Sequence, residues 1–357
     1  MSTTPLYPLR FEPIYQYRLW GGRRLGPLLS APLPGDEPIG EAWLLSDREE
    51  RASRVAEGPL KGKTIAELVA RSPDELLGIF AGRLERFPLL LKLLDVRQRL
   101  SVQVHPADKD RKLIPIGETG KTEAWVVLEN GPAARIFAGL TTLTTPERLR
   151  RVLADGTLAD ELAGFTPTPG DAVLIRAGTV HSLANVVVFE IQQNSDVTFR
   201  LHDWDHIDPR TLRRRPLQIE KALACIDFAQ GPVVPQSPRA LERRPVLREQ
   251  LIRCDHFAVT RNSGQLPFVV GRTALPRVLL GLAGRAELEY AGQSYALCKG
   301  QLLLLPAVVG ECLCRPDGAV SVLEISVPEP SVFPVTSAAE PAVRTPGNLM
   351  STRSYSS

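Results

Sequence analysis

Prolines and glycines interrupt this chain at short intervals along its length. There are 31 prolines and 27 glycines among 357 residues. Because both residue types favour turns, this spacing favours many short strands over long helices. Strand-like runs bounded by turn residues lie at 42–45, 89–94, 100–104, 123–128, 134–138, 172–175 and 186–192, and then at 256–261, 277–281, 286–290, 293–297, 301–305 and 320–326. The sequence therefore predicts a mainly β protein.

Helical patterns are few, and all of them lie before residue 230. One covers residues 64–70, and a second covers 72–81, where a Ser-Pro-Asp-Glu sequence gives a helix-start signal at Ser72. A third pattern begins at Thr145, and a fourth covers 217–226. We expect these helices to form a small insertion in the N-terminal part of a β protein.

Two stretches of the chain resemble each other and suggest two related β units. TPGDAVLIRAGTV at 168–180 and CKGQLLLLPAVVG at 298–310 share a glycine, a strand and then a turn region. A Pro/Arg-rich, aperiodic stretch at 232–249 is predicted to link the units, and the C-terminal tail is rich in Pro, Ser and Thr. The predicted organisation is a first unit of residues 1–230, a second unit of residues 231–335 and a poorly ordered tail of residues 336–357.

Composition and charge exclude several classes of partner. The formal net charge is +3, and the basic residues are dispersed except at Arg213, Arg214 and Arg215, which favours a solvated turn over a nucleic-acid surface. No apolar run reaches the roughly 18 residues of a membrane span, and the N-terminus lacks a signal-peptide pattern. The five cysteines show no CxxC spacing. We therefore expect a cytoplasmic protein, a monomer or weak homo-oligomer, without nucleic-acid or membrane partners.

The stretch LSVQVHP places two polar side chains on one face of a strand. Side chains alternate along a strand, so Gln103 and His105 project to one side while Val102 and Val104 project to the other, and Pro106 ends the pattern. The valines fit a core. The polar pair faces either solvent or a cavity that uses an amide oxygen and an imidazole together.

A second histidine lies in a glycine-rich hairpin pattern. From Gly170 the sequence is G-(x)5-R-x-G-(x)2-H-(x)3-N, with the histidine at His181. This pattern resembles the second motif of the cupin superfamily, and Gln103-x-His105 with Glu123 takes the place of the first. The resemblance implies two cupin-type (jelly-roll) β-barrels, the first with a metal site. Two histidines and a carboxylate suit zinc, and they also suit a non-haem iron oxygenase.

Four longer motifs resemble the type I mannose-6-phosphate isomerase family in order and separation. They are LSVQVHP, GKTEAWVVL at 120–128, RAGTVHSL, and EIQQNSDVTFRLHDWD at 190–205. The resemblance runs over roughly residues 5–230, and the length is similar to that of the short bacterial form. The second unit matches more loosely. Its one histidine, His256, lacks the hairpin, so we expect this unit to be metal-free.

The resemblance implies roles for particular residues of this chain. Gln103, His105, Glu123 and His181 fall on the zinc-ligand positions, which implies one Zn²⁺ per chain. Arg200 and Asp196 fall on the catalytic segment, and Glu190 on the same segment is a second candidate for the general base. Ser101 and Lys121 match positions that line the sugar-phosphate pocket. Some members have a tyrosine where this chain has Leu183, so no such tyrosine can carry a proton here.

The function implied is interconversion of mannose 6-phosphate and fructose 6-phosphate through an enediol, with a small phosphorylated sugar as the partner. The residues themselves leave two other functions open. A non-haem iron dioxygenase would use the same histidines and carboxylate, although Gln103 and the NSDVTFR segment argue against it. A non-catalytic sugar-binding cupin would keep the barrel without the catalytic residues.

For Arg200 and Asp196, the structural alternative is an ion pair that braces the barrel mouth.

Overall fold

The computed structural model describes residues 4–141 and 144–329, and these residues form a mainly β protein, as predicted. The predicted tail of 336–357 lies outside the described residues. The strands of the first part are β1 (Ile14–Gly22), β2 (Ile39–Leu45), β3 (Leu89–Val96), β4 (Val102–Val104), β5 (Glu123–Leu140), β6 (Leu162–Phe165), β7 (Ala172–Ile175), β8 (His181–Gln193), β9 (Phe199–His202), β10 (Ile207–Asp208) and β11 (Arg213–Arg214). The strands of the second part are β12 (Arg239–Glu242), β13 (Leu247–Arg253), β14 (Ala258–Gly264), β15 (Phe268–Gly271), β16 (Arg277–Tyr290), β17 (Gln293–Cys298), β18 (Leu302–Leu305) and β19 (Glu311–Ser326).

The strands form two large antiparallel sheets, one in each part of the chain. The first sheet has the order β1-β2-β3-β8-β4-β9, and the long strand β5 pairs with β8, β6 and β7. The second sheet has the order β12-β13-β14-β19-β16-β17, with β15 beside β19 and β18 beside β16. Strands β10 and β11 pair with each other in a separate short hairpin.

Strand β8 is buried on both faces, which places it at the centre of the molecule. Val187 and Phe189 point to a large apolar cluster that also contains Phe257 of the second part. Val188 points to the other side, into a cluster around Trp125. Because side chains alternate along a strand, the residues of β8 at even positions after Asn185 face the inside of the curled first sheet. Before the irregularity at Asn185, the odd positions, such as Leu183, face inward.

The N-terminal segment fastens the two parts of the chain together. Leu9 and Leu304 exchange two backbone hydrogen bonds of 2.8 Å, so the start of the chain pairs with β18 of the second sheet. The core cluster beside β8 also takes residues from both sheets. The two sheets therefore share one apolar core.

The helices are short, and all of them lie in the first part of the chain. They are α1 (Leu25–Leu29), α2 (Ile65–Arg71), α3 (Pro73–Leu77), α4 (Pro146–Asp155) and α5 (Ile219–Cys225), with 3₁₀ turns at Glu49–Arg51, Gly78–Phe80 and Leu158–Glu161. Thr64 and Glu67 form a reciprocal capping box at the start of α2. Ser72 precedes α3 without a capping hydrogen bond from its side chain. Among the described residues, no helix has the length and hydropathy needed to cross a membrane.

Some predicted strand boundaries were wrong, for reasons that concern bulges and edges. Strand β5 joins two predicted strands, because an irregularity between Asn130 and Arg135 takes up the turn residues without ending the pairing with β8. The stretch 232–249, predicted to be an aperiodic linker, contains β12 and the start of β13. All four residues of β12 are exposed. An exposed edge strand has no buried face, and so it leaves no alternating pattern to detect.

Candidate metal centre and adjoining cavity

Three buried side chains meet inside the first sheet and form a group that could hold a metal ion. His105 follows β4 directly, Glu123 is the first residue of β5, and His181 is the first residue of β8. One potential ligand atom from each lies within 4.8 Å of the other two. The Glu123 Oε2 atom lies 3.3 Å from His105 Nε2, and Glu123 Oε1 lies 3.4 Å from His181 Nε2. Among the described residues, no other cluster of this kind is present.

Backbone carbonyls fix which nitrogen of each histidine faces Glu123. The Nδ1 atom of His105 lies 2.8 Å from the carbonyl oxygen of Val197, and Nδ1 of His181 lies 2.9 Å from that of Thr179. A carbonyl oxygen only accepts hydrogen bonds, so each Nδ1 carries the proton and each Nε2 presents its lone pair to the centre. Burial lowers the pKa of both imidazoles, that of His105 to about 3. Both rings are therefore neutral, which is the form that binds metals.

Glu123 is a buried carboxylate whose charge is only partly compensated. Burial acts to raise its pKa, but the Lys121 ammonium outweighs this, and the pKa lies well below its usual value. The Lys121 Nζ atom is 2.9 Å from Glu123 Oε2. Neither carboxylate oxygen has a hydrogen bond of good geometry with a described residue. Two neutral imidazoles and an anionic oxygen donor fit a divalent cation.

Gln103, which the family resemblance implies as a fourth ligand, adjoins this centre. Across the sheet it lies opposite His181 on β8 and Arg200 on β9. Its Nε2 atom is 3.2 Å from His181 Nε2, and its Oε1 accepts a 3.2 Å hydrogen bond from the Ser101 hydroxyl. A metal would need the amide oxygen, and a half-turn of the amide would place Oε1 at the centre. The amide nitrogen would then donate to the Ser101 hydroxyl.

A cavity of about 490 Å³ opens beside the centre. All of the predicted site residues outside the buried cluster line it, namely Ser101, Gln103, Lys121, Glu190, Asp196 and Arg200. The cavity is rich in cations, which are Arg18, Arg51, Lys92, Lys121, Arg200 and Arg215. Such a cavity suits an anionic ligand of small size.

Glu190 lies in a fixed position between two strands. Its Oε1 accepts a 3.2 Å hydrogen bond from Trp125 Nε1, and its Oε2 lies 3.4 Å from Lys92 Nζ. Burial raises its pKa, and the nearby Glu123 charge adds to this. Asp196 is more exposed and lies at 3.8 Å from the same lysine. The two carboxylates thus share Lys92 but differ in their access to water.

Three residues of the cavity wall, Lys92, Arg18 and Glu41, were not predicted from the sequence. Lys92 is 3% exposed. Its position among the leucines of β3 is the feature of the sequence that could have identified it as a site residue. Glu41 accepts two hydrogen bonds from Arg18, of 2.7 and 3.1 Å, and one of 2.7 Å from Trp43 Nε1. Although burial acts to raise it, the pKa of Glu41 falls to about 2 beside Arg18. The carboxylate therefore holds Arg18 as part of the cavity wall.

Arg200 forms no ion pair with any residue that the structure describes, unlike most of the neighbouring cations. Its backbone N–H donates to Gln218 Oε1 at 3.0 Å, but its buried Nε atom has no partner there. Burial lowers the pKa of the guanidinium, and repulsion by Arg215 adds to this. Arg215 itself is paired with Asp203. The ion pair between Arg200 and Asp196, which was the structural alternative to a catalytic role, is therefore absent from the described contacts.

His256 lies apart from the centre, in the second part of the chain. Its Nε2 atom is 3.9 Å from Asp108 Oδ2, and its side chain is 32% exposed. His202 and His206 also lie outside the metal-binding group. Of the five histidines, two therefore meet at the buried centre.

Comparison with protein families and with curated proteins gives a consistent result. Residues 9–121 match the family model described as phosphomannose isomerase type I, catalytic domain. The probable mannose-6-phosphate isomerase GmuF of Bacillus subtilis is 38% identical over 221 residues, which are 62% of this chain and 68% of that protein. The mannose-6-phosphate isomerase of Streptococcus mutans is 32% identical over 303 residues, which are 85% of this chain and 93% of that protein.

Solved structures of proteins described as mannose 6-phosphate isomerases have the same fold as this chain. The mannose 6-phosphate isomerase of Bacillus subtilis superposes with a TM-score of 0.81 at 28% identity, covering 89% of this chain and 99% of that one. A protein of Archaeoglobus fulgidus, described as a putative mannosephosphate isomerase, gives a TM-score of 0.72 at 21% identity, covering 90% and 98%. At that lower identity the likeness concerns the fold alone.

Proposed function

Because the chain belongs to the type I mannose-6-phosphate isomerase family, we propose that it interconverts mannose 6-phosphate and fructose 6-phosphate in the cavity beside His105, Glu123 and His181. The observation that carries the proposal is the buried His-Glu-His cluster at one end of a cation-rich cavity. A coupled assay for fructose 6-phosphate formed from mannose 6-phosphate tests it. No turnover by zinc-loaded protein would contradict it.

We infer one Zn²⁺ per chain, held by His105, Glu123 and His181 with Gln103 as a fourth ligand. The neutral imidazoles and the poorly partnered carboxylate support this assignment. When bound, the ion supplies positive charge that stabilises an oxyanion of the sugar. A cation on Glu123 would also neutralise the carboxylate that pairs with Lys121. The lysine charge would then be available to the substrate.

The isomerisation moves one proton between neighbouring carbons. A base takes the proton from C2 of the open-chain aldose, an enediol forms, and the proton returns to C1, while a proton passes from the C2 hydroxyl to the C1 oxygen. Glu190 is the base that we favour, because burial raises its pKa and it borders the cavity. Asp196 is the alternative and is more exposed.

Arg200 is proposed to stabilise charge on the sugar oxygens. An arginine stays protonated and does not act as a base, so its contribution is electrostatic. Arg200 forms no ion pair with a described carboxylate, so its charge remains available to a substrate oxygen, which supports this role. Lys121 and Ser101 are proposed to bind the phosphorylated end of the substrate.

We propose that residues 1–230 are the catalytic unit and that residues 231–335 form a second barrel without a metal. Each of the two sheets would be a cupin-type jelly roll. The support is that the His-Glu-His cluster belongs wholly to the first sheet. The second sheet shares the apolar core with the first. We infer that its role is to support the catalytic unit.

Replacing His181 by alanine should sharply reduce the zinc content of the purified protein. The substitution removes one of the four proposed ligands, and no described histidine besides His105 lies at the site to replace it. His256→Ala is the matched control and should leave the zinc content nearly unchanged. Metal analysis of both variants decides the question. An equal loss in both would place the site elsewhere.

Replacing Lys121 by alanine should raise KM for mannose 6-phosphate more than it lowers kcat. The ammonium would bind the substrate before and during the reaction, so its loss weakens both states. Zinc affinity should not fall, because the lysine and the metal are like charges beside the same carboxylate. Lys112→Ala, at an exposed position of the same loop, is the control. Loss of zinc in Lys121→Ala with an unchanged KM would contradict this role.

A further inference from the structure

Two side chains behind the metal centre connect the loop after His105 to the strand that begins at Glu123. Asp108 Oδ1 accepts a 2.7 Å hydrogen bond from the backbone N–H of Gly120. Its Oδ2 accepts a 3.1 Å hydrogen bond from Gln193 Nε2. Gln193 Oε1 in turn accepts a 2.8 Å hydrogen bond from the backbone N–H of Thr122. The chain of contacts ends one residue before Glu123.

The two hydrogen-bond partners of the Gln193 side chain allow only one orientation of its amide. A carboxylate can only accept hydrogen bonds, so the amide nitrogen must face Asp108. The amide oxygen therefore faces Thr122, whose backbone N–H can only donate. Gln193 is 8% exposed. Turning its amide over would set acceptor against acceptor and donor against donor.

The surrounding backbone holds both ends of this connection. The Gln193 N–H donates to the Thr122 carbonyl oxygen at 3.2 Å, and the Lys121 N–H donates to the Pro106 carbonyl oxygen at 3.0 Å. At Gly120, an added Cβ would lie 2.5 Å from the backbone nitrogen of Asp108, so the two segments approach as closely as glycine allows. The segment from Gly120 to Glu123 is thus set against the loop that follows His105.

We propose that Asp108 and Gln193 are positioning residues that hold Glu123 at the correct distance from His105 for metal binding. Neither side chain belongs to the buried cluster, and each acts through the backbone of residues 120–122. The inference rests on the proposed function only in taking His105 and Glu123 as metal ligands. Groups that orient metal ligands in this way typically contribute roughly 10- to 100-fold to metal affinity. Because these two act through the backbone, we expect an effect of about tenfold.

A pair of substitutions tests the connection by breaking and then restoring it. In Asp108→Asn, the new amide nitrogen faces either Gly120 N–H or Gln193 Nε2, so two hydrogen-bond donors meet. In Gln193→Glu, the new carboxylate faces the Asp108 carboxylate, so two acceptors meet. Each should weaken zinc binding about tenfold, measured by competition with a chromogenic chelator. In the double variant the introduced amide can donate to the introduced carboxylate, and both backbone N–H groups keep an acceptor. Zinc affinity should then return to within a few-fold of the parent protein.

The control for lost charge is Asp110→Asn in the same loop. Asp110 Oδ2 accepts a 2.8 Å hydrogen bond from the backbone N–H of Ala107, which an asparagine oxygen can also accept. Its zinc affinity should equal that of the parent. The melting temperature of each metal-free variant separates weaker zinc binding from a weaker fold. Asp108 is half-exposed, so Asp108→Asn should fold. If Gln193→Glu does not fold, the zinc affinity of Asp108→Asn still tests the proposal.

Two results would overturn the proposal. One is parent-like zinc affinity in both single variants. The other is a double variant whose loss equals the product of the two single losses, since independent sites combine in that way. A parent protein that binds zinc but does not isomerise mannose 6-phosphate would count against the proposed function alone. The zinc affinities would still decide the role of Asp108 and Gln193.

Discussion

Removal of the metal should lower the rate of mannose 6-phosphate isomerisation by at least about a thousandfold, and added Zn²⁺ should restore it. The charge of a bound metal ion is worth several kcal/mol at a developing oxyanion, and about 1.4 kcal/mol corresponds to a factor of ten. In the metal-free protein Lys121 pairs with Glu123, and His105 is neutral. No described side chain at the centre replaces a divalent charge.

The measurement is kcat of protein stripped with a chelator, passed through a desalting column and titrated with Zn²⁺. Protein exposed to the same chelator already saturated with zinc is the control, because it separates metal removal from other effects of the reagent. Normal turnover by a preparation shown to be free of metals would contradict the assignment. Oxygen consumption by iron-loaded protein would favour the dioxygenase alternative. Sugar binding without turnover in the zinc-loaded protein would favour a non-catalytic cupin.

The meeting of His105 and His181 was predictable because the first stands at the end of one strand and the second at the start of another. A proline after His105 and a glycine turn before His181 mark these boundaries in the sequence. Neighbouring antiparallel strands bring such ends together at one side of a sheet. The resemblance to a known family then put Glu123 at the same place. Local signals and family motifs agreed, and the structure brings the three side chains together.

The cavity wall was harder to predict, because it depends on register between strands that are far apart in sequence. Lys92 lies directly opposite Trp43 on β2 and Glu190 on β8. Neither pairing follows from the sequence of β3 alone, in which Lys92 is one polar residue among leucines. The contact of Asp108 with Gln193 spans 85 positions for the same reason. Such pairs follow from the fold and not from any local pattern.

Replacing Arg200 by alanine should reduce kcat by about two to three orders of magnitude while zinc content is kept. Removing one positioned donor from a developing oxyanion typically costs about 2.7–4 kcal/mol. The interaction would form mainly in the transition state, so KM should change less than kcat. Arg213→Ala is the matched control, because Arg213 is exposed on β11 and does not line the cavity. The measurements are kcat, KM, zinc content and melting temperature for both variants.

The melting temperature distinguishes this role from that of a structural brace. A brace would lose a favourable ion pair on substitution, and the variant would melt earlier with near-normal turnover. Arg200 instead forms no ion pair with a described residue, and burial lowers its pKa. A lowered pKa for a basic group means that the folded protein disfavours its charged form, so the charge costs stability. Removing the guanidinium should therefore leave the melting temperature unchanged or raise it. A folded, zinc-loaded Arg200→Ala protein with the parent kcat would remove this residue from the mechanism, whatever its stability.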